Sequence, residues 1–174
     1  AKSVARYLAL WMSYEDPIRV ADLKIRRERF ERIRQEAGVG DKAVIRVSEY
    51  MHPRFEEFCA LLPAGLGAHM ETSKIWRGVF APLFRRGRRI SSGSVRGFLL
   101  MYALAGLRPL RPGMHGHRKE MRRIREWLAS VERAAAKDYE LAVELAEAGG
   151  LIKGYGETRE RGEAMLARIM RLAE

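Results

Sequence analysis

Apolar residues recur at intervals of three and four along most of the chain, which is the period of an amphipathic α-helix. Val4, Leu8 and Trp11 share one helical face near the start. Asp16 and Pro17 then provide a cap and a first-turn proline for a second helix, which the glycines near position 40 end. The pattern therefore predicts an all-α protein.

The middle of the chain departs from this period at one short run. Residues 42–47, KAVIRV, resemble a strand, but the run is short and has no obvious pairing partner, so we expect an extended connector. Residues 75–84 predict a short apolar helix. Residues 95–107, VRGFLLMYALAGL, follow Ser92 or Ser94 as the N-cap and are apolar on almost every side. We expect that helix at the centre of the domain.

The longest predicted element runs from about His117 to Ala148, with Asp138 interrupting its apolar spacing. Gly149 and Gly150 end this element, and an amphipathic helix closes the sequence. The predicted fold is an all-α helical bundle with one long helix in its C-terminal half and short Gly/Pro joints. We expect one domain over residues 1–174. Because the chain opens without an initiator methionine, we also expect a fragment from the C-terminal part of a longer subunit.

Charge narrows the choice of partners. The chain carries 33 Lys and Arg against 22 Asp and Glu, a net charge of +11 that attracts anions. Nucleic acid is one candidate partner, and an acidic protein domain is another. The loop FRRGRRISSGS concentrates four of the cations, which are Arg85, Arg86, Arg88 and Arg89. These arginines are candidates for phosphate binding or for partner docking, and a solvated loop is the alternative. The apolar helix after them cannot enter a DNA groove, which argues against nucleic acid.

Residues with catalytic or metal-binding chemistry are sparse. The single cysteine, Cys59, excludes an internal disulfide, fits a reducing compartment such as the cytoplasm, and lies in an apolar run that predicts burial. His115 and His117 are too few for a zinc site. No combination of nucleophile, base and oxyanion donor is evident, so we predict no catalytic or metal-binding residues. No apolar run reaches the roughly 20 residues of a membrane span.

The stretch LIKGYGETRERG, residues 151–162, has two interpretations. Lys153, Gly154 and Gly156 precede a helix, so backbone amides and a lysine are available to hold an anion. The spacing is not that of a phosphate-binding loop, however, and Glu157 and Glu160 would oppose an anion. The favoured interpretation is a helix–helix joint whose glycines adopt unusual backbone angles.

Four stretches in this order resemble one known family. They are YLALWMSYEDPIRVADLK, HPRFEEFCALLPAGLG, SVRGFLLMYALAGLRPLR and LIKGYGETRERG. Together they are similar to the C-terminal helical domain of the indolepyruvate oxidoreductase beta-subunit family, relatives of the 2-oxoacid:ferredoxin oxidoreductases. The resemblance covers at least residues 7–162.

The resemblance implies a part in a larger enzyme. Such enzymes oxidatively decarboxylate aryl 2-oxoacids such as indolepyruvate to acyl-CoA, using thiamine diphosphate, coenzyme A and iron–sulfur clusters, and they pass the electrons to ferredoxin. The residues that bind these cofactors belong to other domains, so the resemblance implies none here. The expected role is packing against the other domains or subunits, and docking of ferredoxin is a further candidate role. A basic helical nucleic-acid-binding module is the alternative.

Overall fold

The computed structural model describes residues 2–14, 16–40, 43, 45–51, 54–84, 88–154 and 156–173, with the backbone alone at 51, 81 and 88–90. It is an all-α helical bundle, as predicted. The α-helices are α1 (Lys2–Met12), α2 (Pro17–Ile25), α3 (Arg27–Glu36), α4 (Phe55–Ala60), α5 (Ala64–Thr72), α6 (Lys74–Phe84), α7 (Val95–Gly106), α8 (His115–Ala135), α9 (Tyr139–Ala148) and α10 (Gly156–Leu172). Short 3-10 helices occupy Arg108–Gly113 and Gly149–Leu151.

Two predicted N-caps are confirmed. The Asp16 carboxylate accepts a hydrogen bond from the Arg19 amide at 2.8 Å, and the Ser94 hydroxyl accepts one from the Gly97 amide at 3.1 Å. The helix that Asp16 begins is shorter than its apolar pattern suggests, because Arg26 adopts an extended backbone and separates α2 from α3. The Arg29 guanidinium donates to the Lys24 carbonyl at 3.2 Å, which satisfies a backbone acceptor at this break.

A small antiparallel sheet interrupts the helices. Strand β1 (Ser48–Met51) pairs with β2 (Arg88–Ser91) in the register Ser48↔Ser91 to Met51↔Arg88. The described residues of 42–47 carry no strand, as expected, whereas the strand begins immediately after them. The prediction of a loop through Arg88 and Arg89 is wrong, because their backbone belongs to β2.

The predicted helix from His117 to Ala148 is two helices. α8 ends at Ala135, and the Asp138 side chain caps α9 by accepting from the amides of Glu140 at 2.8 Å and Leu141 at 3.4 Å. Asp competes for backbone amides in this way because its short side chain reaches the first turn of a new helix. α8 remains the longest helix in the described part of the chain.

The chain folds into two compact units. Unit 1 consists of residues 1–14 and 119–174, and unit 2 consists of residues 15–118. In unit 1, α1, α8, α9 and α10 enclose a core that includes Trp11, Trp127 and Leu145. The two tryptophan rings lie 5.7 Å apart. The expectation of one domain over residues 1–174 stays a prediction.

Unit 2 contains α2 to α7 and the sheet. Phe55, Cys59 and Met70 form a buried cluster there. α7 packs against α2, and its buried residues are Gly97 and Met101.

The prediction that α7 lies at the centre is wrong, because most of its apolar side chains are exposed. Val95 is 76% exposed, Leu99 57% and Tyr102 62%. An apolar pattern indicates a surface that favours burial, but it does not say whether this chain or another molecule covers it.

Candidate functional site

The glycine turn before α10 is the first candidate. Gly154 and Gly156 have φ angles of 74° and 57°, in the left-handed region that a side chain disfavours. This confirms the backbone role predicted for both glycines. Gly162, further along α10, is required for a different reason: a Cβ there would lie 2.2 Å from the Leu151 carbonyl oxygen. The turn is therefore a tightly packed joint between Leu151 and α10.

Lys153 borders an open groove of about 670 Å³ in unit 1. Tyr7, Glu144, Glu147 and Gly150 line the same groove. Two carboxylates in the same groove as Lys153 oppose the binding of an anion, since like charges repel each other. The anion contact at Lys153, Gly154 and Gly156 stays a prediction, and the geometry of the groove adds no support for it.

A partly buried ion-pair network also lies in unit 1. Glu120 on α8 is 8% exposed and accepts a hydrogen bond from Trp11 Nε1 at 2.6 Å. Its other oxygen accepts from the Arg159 guanidinium. Arg159 also donates to Glu163 at 3.0 Å, and Glu163 accepts from Arg123 at 2.6 Å. The network joins α1, α8 and α10, and it assigns Arg159 of the LIKGYGETRERG stretch a structural role.

Sequence reasoning missed Glu120, although a signal was present. Glu120, Ile124, Trp127 and Val131 are spaced by four, three and four residues, so the glutamate occupies the apolar face of α8. A charged residue at such a position needs partners, because an unpaired buried charge is costly. The spacing identifies the buried carboxylate, but it does not identify Arg159 or Trp11 as its partners.

The two histidines at the start of α8 lie in different surroundings. His115 Nε2 lies 2.6 Å from the Glu71 carboxylate. His117 Nδ1 is buried and makes no hydrogen bond within the described ranges. Burial lowers the pKa of His117, the positive charge of Arg111 lowers it further, and Asp16 opposes that shift. Arg111 itself pairs with Asp16 at 2.5 Å.

Cys59 is fully buried, as predicted. Burial raises the pKa of its thiol, and the nearby carboxylates of Glu71 and Glu56 raise it further. The thiolate that a nucleophile or a metal ligand requires is therefore disfavoured. Among the residues that the structure describes, no three His, Cys, Asp or Glu side chains converge as metal ligands.

The structure describes the four candidate docking arginines only in part. Arg85 and Arg86 lie outside the described residues, and Arg88 and Arg89 contribute backbone to β2. Their proposed role stays a prediction.

Among the residues that the structure describes, no helix combines the length and the apolar character needed to cross a membrane.

The basic charge is concentrated in one segment. Residues 72–119 contain nine Arg and two Lys but no Asp or Glu, and the rest of the chain has 22 residues of each sign. The whole net charge of +11 therefore belongs to this segment, which we call the acid-free segment. It includes α6, β2 and α7.

The sequence profile of DUF6537, described as a family of unknown function, matches residues 1–172. The chain belongs to this family. No curated protein and no solved structure gives a significant match. Family membership thus accounts for nearly the whole chain, both units included, without assigning an activity to either.

Proposed function

We propose that this DUF6537 chain is a non-catalytic helical part of a 2-oxoacid:ferredoxin oxidoreductase that acts on aryl 2-oxoacids such as indolepyruvate. The resemblance of four stretches, in order, to the indolepyruvate oxidoreductase beta-subunit family supports this context. In such an enzyme, thiamine diphosphate, coenzyme A and iron–sulfur clusters reside in other domains. The role of this chain is to pack against those domains or subunits, in the cytoplasm, where a free thiol such as Cys59 persists.

Exposed apolar helices are the observation that carries the packing role. On α7, Val95, Leu99 and Tyr102 are exposed, and on α6, Ile75 is 78% exposed and Val79 60%. Proteins that act alone rarely expose contiguous apolar surface on several helices, because its burial in a complex is favourable. A domain that completes its core against a neighbouring module exposes such surface when that module is absent.

The proposal is tested on the protein as its source cells make it. An affinity tag on the native gene permits purification of the polypeptide with its associated subunits. We expect a polypeptide much larger than 19.9 kDa, or a stable complex, that reduces ferredoxin in the presence of indolepyruvate and coenzyme A. Omission of coenzyme A is the control. A free chain of 19.9 kDa with no associated subunits would contradict the proposal, as would an assembly that does not oxidise any aryl 2-oxoacid.

The acid-free segment favours a second candidate, a nucleic-acid-binding module, because clustered cations bind phosphate without sequence preference. Random duplexes and single strands in a mobility-shift assay distinguish the two functions. Tight binding that weakens steeply with salt favours nucleic acid. Weak binding with no steep salt dependence favours the packing domain.

A further inference from the structure

The exposed apolar side chains of α7 lie opposite its buried residues. Gly97 and Met101 are the buried residues of α7, and a Cβ at Gly97 would lie 2.0 Å from the Ser91 carbonyl oxygen, so this side of the helix lies close against its neighbours. Val95, Leu99 and Tyr102 follow the spacing of four and three residues on the opposite side. We call these three residues the α7 stripe. The Tyr102 ring stacks on Phe98, with centroids 6.3 Å apart, which gives the stripe an aromatic edge.

Cations without partners flank the α7 stripe. Arg96 follows Val95 on the helix, and Arg108 lies just beyond the C-terminus of α7. Both are exposed, and neither has an ion pair or hydrogen-bond partner among the described side chains. Two other arginines of the acid-free segment form ion pairs within the fold, Arg77 with Glu56 at 2.6 Å and Arg111 with Asp16 at 2.5 Å. The charge beside the stripe is therefore available to another molecule.

We infer that the α7 stripe is a docking surface for a protein whose contact face has an apolar centre surrounded by carboxylates. The stripe supplies the apolar contact, and Arg96 and Arg108 supply the complementary charge at its edge. The inference deepens the proposed function, and it rests on that function only in the claim that the chain works bound to another protein.

The composition favours a protein over a membrane surface. The acid-free segment holds nine Arg and two Lys, and its exposed apolar residues include aromatic side chains. Arginine, tyrosine and phenylalanine are enriched in the cores of protein interfaces, where lysine is depleted. Arginine also binds carboxylates through two parallel hydrogen bonds, which a lysine cannot do.

Photocrosslinking in the source cells tests the inference. Benzoylphenylalanine replaces Leu99 in the full-length protein, and Leu172, which is 79% exposed on α10, is the matched control position. We expect the Leu99 position to crosslink one protein, at a segment with carboxylates around apolar residues. Combining Arg96→Glu with Arg108→Glu should reduce the yield at least about fivefold, because the rim charges steer and hold the partner. Arg168→Glu with Arg171→Glu, a pair of exposed arginines on α10, should leave the yield unchanged.

Several results would overturn the inference: a phospholipid adduct, an adduct with a second copy of this chain, the same products as at Leu172, no adduct, or a yield insensitive to charge reversal at Arg96 and Arg108. The proposed function fails separately. If the captured acidic protein is no part of a 2-oxoacid oxidoreductase, the docking surface stands and the enzyme context falls. If the purified assembly oxidises indolepyruvate but position 99 crosslinks no protein, the enzyme context stands and the docking surface fails.

Discussion

Glu120 occupies a position on α8 where the helical period would place an apolar side chain, and it is tolerated there because both of its oxygens accept hydrogen bonds. Trp11 donates to one and Arg159 to the other. Hydrogen bonds to a charged acceptor are stronger than neutral ones, and their loss leaves a buried charge on the partner. One residue thereby fixes the approach of α1 and α10 to α8.

Replacement of Glu120 by Gln should lower the free energy of unfolding by about 2 kcal/mol, because Arg159 loses a charged acceptor. Urea denaturation followed by tryptophan fluorescence measures it, since Trp11 and Trp127 lie in the same unit. Glu132→Gln is the control: Glu132 is an exposed residue of α8 in the same unit, so less than about 0.5 kcal/mol is expected. Equal effects of the two substitutions would contradict the importance of the Glu120 network.

Gly162→Ala should destabilise the protein by about 1–3 kcal/mol, because the new Cβ would lie 2.2 Å from the backbone oxygen of Leu151, which cannot rotate away. Gly78→Ala in α6 is the control, since its Cβ would meet nothing within 4 Å. In that exposed helix, alanine should add about 0.5–1 kcal/mol of stability. Thermal unfolding by circular dichroism compares them. A neutral Gly162→Ala would show that the joint before α10 is loosely packed.

His117 should make stability depend on pH. Because its folded pKa is lowered, the unfolded state binds a proton more readily. Stability from this group is then fully present above the ordinary histidine pKa of about 6.5 and is lost as the pH falls from there through the lowered value. The urea midpoint should vary less with pH over this window in His117→Gln than in the native protein, whereas His69→Gln should keep the native variation. If the midpoint of the His117 variant varies with pH as much as that of the native protein, other groups cause the pH dependence.

At the scale of elements, local signals were predictable and distant ones were not. The caps at Asp16 and Ser94 follow from side chains within three residues of the amides they bind, so the sequence reveals them. The break at Arg26 was missed because no glycine or proline marks it. The contacts around the break are long-range instead, since Lys24 and Arg29, on either side of Arg26, both bind Glu49 on β1. Pairing of β1 with β2 likewise joins segments that are distant along the chain, a relation that a local pattern does not contain.

Asp138→Ala should cost about 1 kcal/mol, because the amides of Glu140 and Leu141 lose their acceptor at the start of α9. Hydrogen exchange should accelerate at those two amides and much less in the middle of α9. Glu132→Ala, an exposed substitution on α8, is the control and should leave both rates unchanged. If exchange at Glu140 is equally slow in the Asp138 variant, α8 and α9 behave as one helix, as the apolar spacing alone suggests.

For the whole molecule, the position of the basic residues along the chain bears more directly on partner binding than the net charge does. The candidate site could be predicted only in part: the arginines and glycines stand out in the sequence, whereas the exposure of α7 depends on which faces α2 covers. Because residues 72–119 contain no acidic residue, the net charge of +11 belongs to the segment that also exposes α6 and α7. Under the proposed function, that segment is where an acidic redox partner approaches.

Reversal of Arg85, Arg86, Arg88 and Arg89 to Glu in the complete enzyme should slow ferredoxin reduction about tenfold at low salt. The difference from the native enzyme should shrink as salt is added, because screening removes long-range attraction. Reversal of four exposed arginines in unit 1 is the control, at Arg122, Arg125, Arg168 and Arg171. Rates and salt profiles equal to those of the native enzyme would eliminate a steering role for the four arginines.

Each unit has its own label for unfolding: the buried Cys59 thiol on α4 is a chemical label in unit 2, and the indoles of unit 1 are a spectroscopic one. A maleimide can react with Cys59 only when unit 2 opens, so the alkylation rate reports those openings. Trp76 also lies in unit 2, so in a Trp76→Phe variant the indole emission comes from Trp11 and Trp127 of unit 1 alone. If alkylation and indole emission change at the same urea concentration, the chain melts cooperatively. If the two changes occur at different urea concentrations, the one polypeptide contains two separate folding units.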